Sequence, residues 1–564
     1  MRRFHATIKL MEQLLKKLET IFKGEIAVDH STRTTYSHDA SIFELKPQAV
    51  LYPKGSKDIS ALVQFVNKHK TAHPDLSITA RSGGTDMSGG PLSQSLVIDM
   101  TRYFSAIKEV TGTTAHVEPG VFYRDFDPVT IAHNAQLGSV PASRDICTLG
   151  GMVANNSGGE RSLQYGNTEN FITELKVIFA DGKEYTVKPL TKPELVAKMS
   201  QGDFEGELYR KVFELIESDY DRITKARPHT SKNSMGYNLW AVWDRDTGIF
   251  DMTKLIVGSQ GTLGIVTDIK FRLVPRQPHS GLLVCFMRDT DQLGELIPAI
   301  MAHKPATFEG FDDITFELGI RYFSSFRKKL GTKEFLRVQA SLLPDVLKFK
   351  HNLPKLVLMV EFDGPTPGEV LKKIKKLQTA LKPFDLETEI DSTEVESKKF
   401  WLIRRASFNL LRQKVKDKYA APFIDDLAVQ PRYLPKFLPE LRKIIAKYKL
   451  PATIAGHFGD GNFHIIPLMS IEKPKEQAKL EPAMREVMAL VLKYQGTLAG
   501  EHNDGMIRGP WLADMFGKEM MAHFKAVKTI FDDKNIFNPH KKTDALWSFS
   551  MNHIRTSAQG SLIK

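Results

Sequence analysis

Met11, Leu14, Leu15, Leu18 and Phe22 recur among Lys and Glu at the spacing of one helical face, so the chain is expected to open on an amphipathic helix. A strand is expected over 48–52. Ile59, Leu62, Val63 and Val66 then repeat the i, i+3, i+4, i+7 pattern of a helix. Short β-type runs at 77–80 and 96–100 flank a glycine-rich loop, and runs at 174–180 and 183–188 are joined by Asp181-Gly182, a hairpin turn signal. From 192 to about 251 the pattern turns polar and mixed, with one helical stretch at 208–216, and reads as an insertion before a strand-like run at 254–257. Pro275 and Pro278 mark the expected domain boundary. Beyond them, apolar runs at 282–287 and 356–362 alternate with helical patterns at 293–302 and 369–381. The expected class is α+β, in two large domains and a C-terminal helical segment.

A chain of 564 residues exceeds one hydrophobic core, in line with this division. With 42% apolar and 26% charged residues, disorder and collagen-like repetition are set aside. Cys147 and Cys285 give neither a disulfide framework nor metal-ligand spacing, so a reducing compartment is expected. Nor can two cysteines supply the four thiolates of an iron–sulfur cluster, which places any such relay on another protein. No apolar run approaches the roughly 20 residues of a membrane span, and no export signal is read, so the expectation is a cytoplasmic protein. The formal charge of +12 leaves room for peripheral contact with anionic lipid at the inner face of the membrane; without a nucleic-acid motif, no nucleic acid is expected as a partner.

Three glycine-rich segments carry the first chemical signal. Arg81, Ser82, Gly83, Gly84 and Thr85 open one that ends at Gly90. The second holds Gly150, Gly151, Asn155, Asn156, Ser157, Gly158 and Gly159, and the third Gly258, Gly261, Thr262, Gly264 and Ile265. Glycines let a backbone turn with positive φ and bring its N–H groups against an anion such as a pyrophosphate. They match neither the Walker A pattern nor GxGxxG in its strand–helix context, so a nucleotide is implied on another fold. Together with Pro141, Ala142 and Ser143 and with Tyr165-Gly166-Asn167, these segments resemble the PCMH-type FAD-binding domain of the vanillyl-alcohol oxidase family over roughly residues 40–275. The resemblance implies that 81–85 cradle the pyrophosphate, that 141–143 and 155–159 line the flavin, and that 258–265 lie near its adenosine and ribityl portions. Some relatives bind FAD through a histidine; none is identified here, so noncovalent FAD is expected.

In the second half, His457 and His464 stand seven residues apart across a Gly-Asp-Gly-Asn turn, and Glu501 and His502 follow as neighbours. Two His and one Glu from separate loops form a catalytic zinc set with an open position. Each histidine alone reads more simply as a packed or surface residue, and the turn as only a turn. In an extended strand Glu501 and His502 would point to opposite faces, so both reach one site only if the backbone bends.

These segments resemble the signature loops of flavin-dependent D-lactate, glycolate and D-2-hydroxyglutarate dehydrogenases. The resemblance implies His457, His464 and Glu501 as ligands of a divalent metal, with Zn2+ the expected ion, and His502 as general base. It implies Arg404, rather than Arg405, on the substrate carboxylate, and Asn538 near the flavin ring. It also implies an α+β, ferredoxin-like substrate or cap domain. The divisions are then 1–40 (N-terminal helical segment), 41–276 (FAD-binding domain, insertion about 190–250), 277–545 (substrate or cap domain) and 546–564 (tail). Three departures stand out: Asn503-Asp504 where relatives often carry glycines, Phe408 where some carry threonine, and no lysine before Asp425-Asp426. They leave the reaction class intact and weaken a D-2-hydroxyglutarate assignment. The implied reaction oxidises a D-lactate-like 2-hydroxy acid and passes electrons to a separate acceptor: a quinone, an electron-transfer flavoprotein or an iron–sulfur subunit. The alternatives are a flavoprotein for another alcohol, a noncatalytic electron-transfer subunit, or a metallohydrolase with glycine-rich turns.

Overall fold

The computed structural model describes residues 2–349, 352–391, 394–415 and 418–555, without the side chains of 2–10, 329, 394, 395, 408, 412 and 413. Phe408, the end of the tail and part of the basic stretch at 414–418 therefore lie wholly or partly outside the described residues.

The opening amphipathic helix is Arg2–Glu19, and Leu14, Leu15 and Leu18 enter the core beneath the first sheet. That sheet has four strands in the order Glu25–Ala27, Ala49–Tyr52, Leu96–Asp99, Ile78–Arg81, the last three parallel. Parallel pairing needs a crossover, and the helix Ser56–His69 supplies it, with Ile59, Leu62, Val63 and Val66 fully buried. A second, antiparallel sheet is ordered Ile107–Val110, Thr114–Val117, Ile265–Arg272, Ile172–Ile178, Glu184–Val187.

The strand-like run at 254–257 is instead the short helix Thr253–Ile256, and the strand of that region is Ile265–Arg272. Only three consecutive apolar residues, Leu255, Ile256 and Val257, mark this run; they carry no period, so burial alone could not separate the two states. The insertion holds the helices Lys192–Met199, Phe204–Ser218 and Tyr220–Lys225 with a small three-stranded sheet. Its apolar face (Leu208, Val212, Phe250) packs in one core with Met520, Phe524 and Phe531 of the helix Leu512–Phe531. The chain thus returns to its first half near its end, and Phe537 pairs with Ile78 beside the first sheet.

Between these passages lies a seven-stranded antiparallel sheet, ordered Glu387–Asp391, His279–Met287, Leu356–Gly364, Thr307–Asp312, Ile454–His457, Asn462–Ile465, Leu427–Ala428. Leu283, Cys285 and Met287 face one helical layer, and Leu282, Val284 and Phe286 face the other. Burial on both faces explains the unbroken apolar runs that mark these strands. Cys147 and Cys285 are both free and buried.

Candidate active site

A cavity of about 300 Å3 runs from the glycine loops of the first half to the histidine hairpin of the second. The first loop follows the strand Ile78–Arg81. At Gly84, with φ +64°, a Cβ would press into the Arg81 guanidinium, so only glycine lets that arginine fold beneath the loop. There Arg81 donates to the His38 carbonyl at 2.7 Å and the Tyr36 carbonyl at 3.3 Å. Asp86 closes the loop by accepting from the Ser88 and Gly90 N–H groups, and accepts from Asn155 Nδ2 at 2.9 Å. Gln260 donates to Ser88 Oγ and Asn155 Oδ1 and accepts from the Gly505 N–H, joining three loops at one side chain.

Arg81, Ser82, Gly83, Gly84, Thr85, Pro141, Ala142, Ser143, Gly150, Gly151, Asn155, Ser157, Gly158, Gly261 and Gly264 line the cavity. Asn156, Gly159, Gly258, Thr262, Ile265 and Asn538 do not line it. Asn156 caps the helix Leu149–Asn155 in the left-handed conformation and accepts from the Glu169 N–H. A Cβ at Gly159 would be built into the Val140 carbonyl oxygen. Thr262 bonds Tyr237 at 2.7 Å. Asn538 spends its amide on Gly90, Gln260 and Thr79, behind the loops rather than on the cavity wall.

At the other end, the strands Ile454–His457 and Asn462–Ile465 pair with Ala455 opposite His464 and His457 opposite Asn462. That register puts both histidines on one face of the sheet. The turn needs Gly461, since at φ +63° a Cβ there would meet the Val429 carbonyl oxygen. Glu501 and His502 lie in a bend rather than a strand; Asp426 accepts from both of their N–H groups, at 2.8 and 2.7 Å, and keeps both side chains in the site.

His457 Nε2 stands 3.2 Å from His464 Nε2 and 3.1 Å from Glu501 Oε1. These spacings approach the edges of a zinc tetrahedron, roughly 3.3 Å for ligands at about 2.0–2.1 Å. His457 Nδ1 is taken by Glu309, so its Nε2 faces the other imidazole nitrogen and the carboxylate, as a shared cation would require. Five carboxylates (Glu309, Asp425, Asp426, Asp460, Glu501) gather around these nitrogens, with Arg404 and Lys232 among the cations that meet them, so the surroundings are rich in acidic oxygen, as a divalent ion favours. Asp425, His464 and His502 form a second such group, but Asp425 already holds His502 Nδ1 at 2.7 Å.

Sequence reading missed Glu309, Asp425, Asp426 and Lys232. Burial pushes the Asp425 carboxyl up, but the imidazoles of His502 and His464 outweigh it and hold it far below the usual range. Burial works against the His502 proton; the charges of Asp426 and Asp425 outweigh it and lift the imidazole to about 9. For His457 the same contest, won by Glu309 and Glu501, also ends at about 9. His464 is lowered by burial and by its two neighbouring imidazoles. Arg404 bonds Glu309 through Nε at 2.9 Å and Nη2 at 2.8 Å, whereas Arg405 forms a bidentate pair with Glu160. Both arginines line the cavity with His464, Glu501 and His502. Asn503 has a local role: it takes φ +62°, and its Nδ2 donates to the Gly258 carbonyl at 2.9 Å and the Asn155 carbonyl at 3.1 Å.

Residues 47–188 match the FAD binding domain model, and residues 276–542 match that of the FAD linked oxidases, C-terminal domain. The chain is 27% identical over 518 residues to glycolate oxidase subunit GlcD of Bacillus subtilis, covering 90% of this chain and 92% of that one. To D-2-hydroxyglutarate dehydrogenase of Pseudomonas putida it is 25% identical over 528 residues, 92% of this chain but 50% of that one, so it spans about half the length of that relative. The fold is also that of 4-ethylphenol oxidase from Gulosibacter chungangensis, with a TM-score of 0.67 at 14% identity, covering 95% of this chain and 97% of that one. The matched models account for most of the chain on both sides of the cavity, and the protein belongs to the FAD-linked oxidases that join a PCMH-type FAD-binding domain to an FAD-linked oxidase C-terminal domain.

Proposed function

We propose that the protein oxidises a small D-2-hydroxy acid, of D-lactate or glycolate size, to the 2-keto acid with noncovalent FAD. The observation that carries this reading is the meeting of Arg404, His464, Glu501 and His502 with the glycine loops in one cavity. Bound between the loops, FAD would supply the hydride acceptor. Gly261, with φ +67°, lines that cavity and would meet no atom within 4 Å if given a Cβ, as a cradle for a large group requires. The cavity's histidines, His464 and His502, belong to the charged cluster, which favours FAD held without a covalent link.

In this reading Arg404 binds the substrate carboxylate through the guanidinium edge that Glu309 leaves over. Asp425 fixes Nδ1 of His502, so Nε2 is the nitrogen that takes the hydroxyl proton as hydride leaves the α-carbon. A divalent ion on His457, His464 and Glu501, with Zn2+ the first candidate, would make that hydroxyl more acidic. Arg404 and Arg405 are already paired with acids, and Arg81 with backbone carbonyls, which favours a monocarboxylate over a dicarboxylate. The electron acceptor is proposed to be a separate quinone, electron-transfer flavoprotein or iron–sulfur subunit. No helix among the described residues is long and apolar enough to cross a membrane, so any membrane contact is proposed to be peripheral.

The test is anaerobic addition of D-lactate, glycolate and L-lactate to the purified flavoprotein. Bleaching of the flavin band near about 450 nm by the D-acid or glycolate, but not by L-lactate, is expected. A flavin that no hydroxy acid bleaches would remove the reading.

A further inference from the structure

The region that reads as an insertion delivers one charge into the site. Lys232 lies between the helix Tyr220–Lys225 and the turn Leu239–Ala241, and is 2% exposed. Its ammonium pairs with Glu501 and, at 3.3 Å, with Asp460. The backbone that carries it is pinned: the Ser234 N–H donates to the Ala499 carbonyl at 2.9 Å, Ser231 Oγ to the Asp460 carbonyl at 3.1 Å, and Thr497 Oγ1 to Asn233 Oδ1 at 2.7 Å. A surface lysine would not be held in this way. Burial without a charge partner is costly for an ammonium, so its two carboxylates explain its place, but not why the site needs it.

The reason lies in the carboxylate it chooses. Glu501 Oε1, bonded to Lys232, is also the oxygen 3.1 Å from His457 Nε2. One carboxylate oxygen is thus claimed by a fixed monovalent cation and by the proposed metal position. We infer that Lys232 is the built-in counter-ion of Glu501, a positioning residue that limits how tightly the His457, His464 and Glu501 set holds a divalent cation. The inference rests on the metal reading proposed above. Like charges on one buried carboxylate repel, and salt screens them little. Without the divalent ion, Lys232 keeps Glu501 paired and aimed at His457; with it, Lys232 holds the affinity down so that the ion can exchange.

The experiment compares the FAD-loaded wild type with Lys232→Met, which keeps the stem and removes the charge, and with Lys232→Arg, which keeps the charge. Each is stripped with a chelator and titrated with Zn2+ against a chromophoric competitor. Lys232→Met is expected to bind one Zn2+ per chain at least about tenfold more tightly than wild type. Lys232→Arg is expected to stay within about threefold of wild type. Equal or weaker binding by Lys232→Met overturns the inference, as does a Lys232→Arg variant that binds like Lys232→Met. If Lys232→Met fails to retain FAD, Lys232→Gln, which keeps a donor for Glu501 without the charge, carries the same expectation. Equal affinities would sink the role of Lys232 alone. Failure of every form to bind Zn2+ at one per chain would sink the metal reading with it, while bleaching by hydroxy acids would still decide the oxidation.

Discussion

At the glycine-loop end of the cavity, shape is set largely by backbone conformation and neutral amides: Asn538 donates to the Gly90 and Gln260 carbonyls, Gln260 to Asn155, and Asn155 to Asp86, which with Arg81 supplies the charge there. At the histidine end, shape is set by buried charge, with Glu309, Asp425 and Asp426 holding two histidines, an arginine and the Glu501–His502 bend. The two ends also respond differently to solution conditions. The amides of the first end do not titrate, whereas the contacts of the charged end run through carboxylates and imidazoles that do. Replacements at the first end should therefore remove the cofactor, and those at the second should slow chemistry while leaving the cofactor in place.

The largest effect is expected from Gly159→Ala. Its φ of +156° suits glycine, and the added methyl is aimed at the Val140 carbonyl oxygen. Backbone strain and overpacking together should cost about 2–4 kcal/mol, enough to lower the melting temperature and leave the purified protein largely colourless. A variant with the full ratio of 450 nm to 280 nm absorbance would show that the loop gives way, and the contrast between the ends would lose its first half.

His502→Ala should keep its FAD and reduce it about 100-fold more slowly in anaerobic stopped flow. The wild type offers a finer version of the same test. A base must be unprotonated, and His502 is raised to about 9, so the reduction rate should climb about tenfold per pH unit below that value and level off above it. Adding a divalent ion at Glu501 should move this limb to lower pH, because a nearby positive charge disfavours the imidazolium. A rate flat from pH 6 to 9 would take His502 out of the role.

The contrast also explains what could be read from the sequence. The three glycine loops are contiguous, so their conformational demand is visible locally; the same holds for the face of Ile59, Leu62, Val63 and Val66. The histidine pair and Glu501–His502 were legible as motifs. Their supports were not. Glu309 lies in Thr307–Asp312, where Phe308 and Phe311 fall three apart and hide the strand, and its partner Arg404 is 95 residues away. A lone acid in such a run looks like an exposed position until the fold supplies its cation. Asp425-Asp426 after Phe423-Ile424 was the better clue, since two acids bordering a buried apolar pair need a reason to be there. Lys232 carried no local signal, because the polar composition around it is also that of a surface insertion.

Arg404→Lys should act on binding. Losing the planar fork that serves Glu309 and substrate together removes a charge-assisted hydrogen bond, worth about 1.5–3 kcal/mol. The expected result is a KM for the hydroxy acid raised about tenfold or more, with FAD content unchanged. The same change at Arg405 should weaken its bond to Glu160 and leave KM within about threefold. Reversed results would exchange the roles of the two arginines.

The smallest effect on chemistry should come from Asn503→Gly, at the seam between the ends. Glycine accepts φ +62° more readily than asparagine, which by itself would stabilise the bend. It also leaves the Gly258 and Asn155 carbonyls without their donor and takes an acceptor from the buried Lys542 ammonium. Unsatisfied buried groups cost about 1–3 kcal/mol each, more than the backbone gain of about 1 kcal/mol, so the variant should melt at a lower temperature. No group expected to touch substrate has moved, so flavin reduction should stay within about threefold of wild type. A large fall in reduction rate without loss of stability would mean that the seam sets the distance between flavin and base, and the two ends would then have to be treated as one machine.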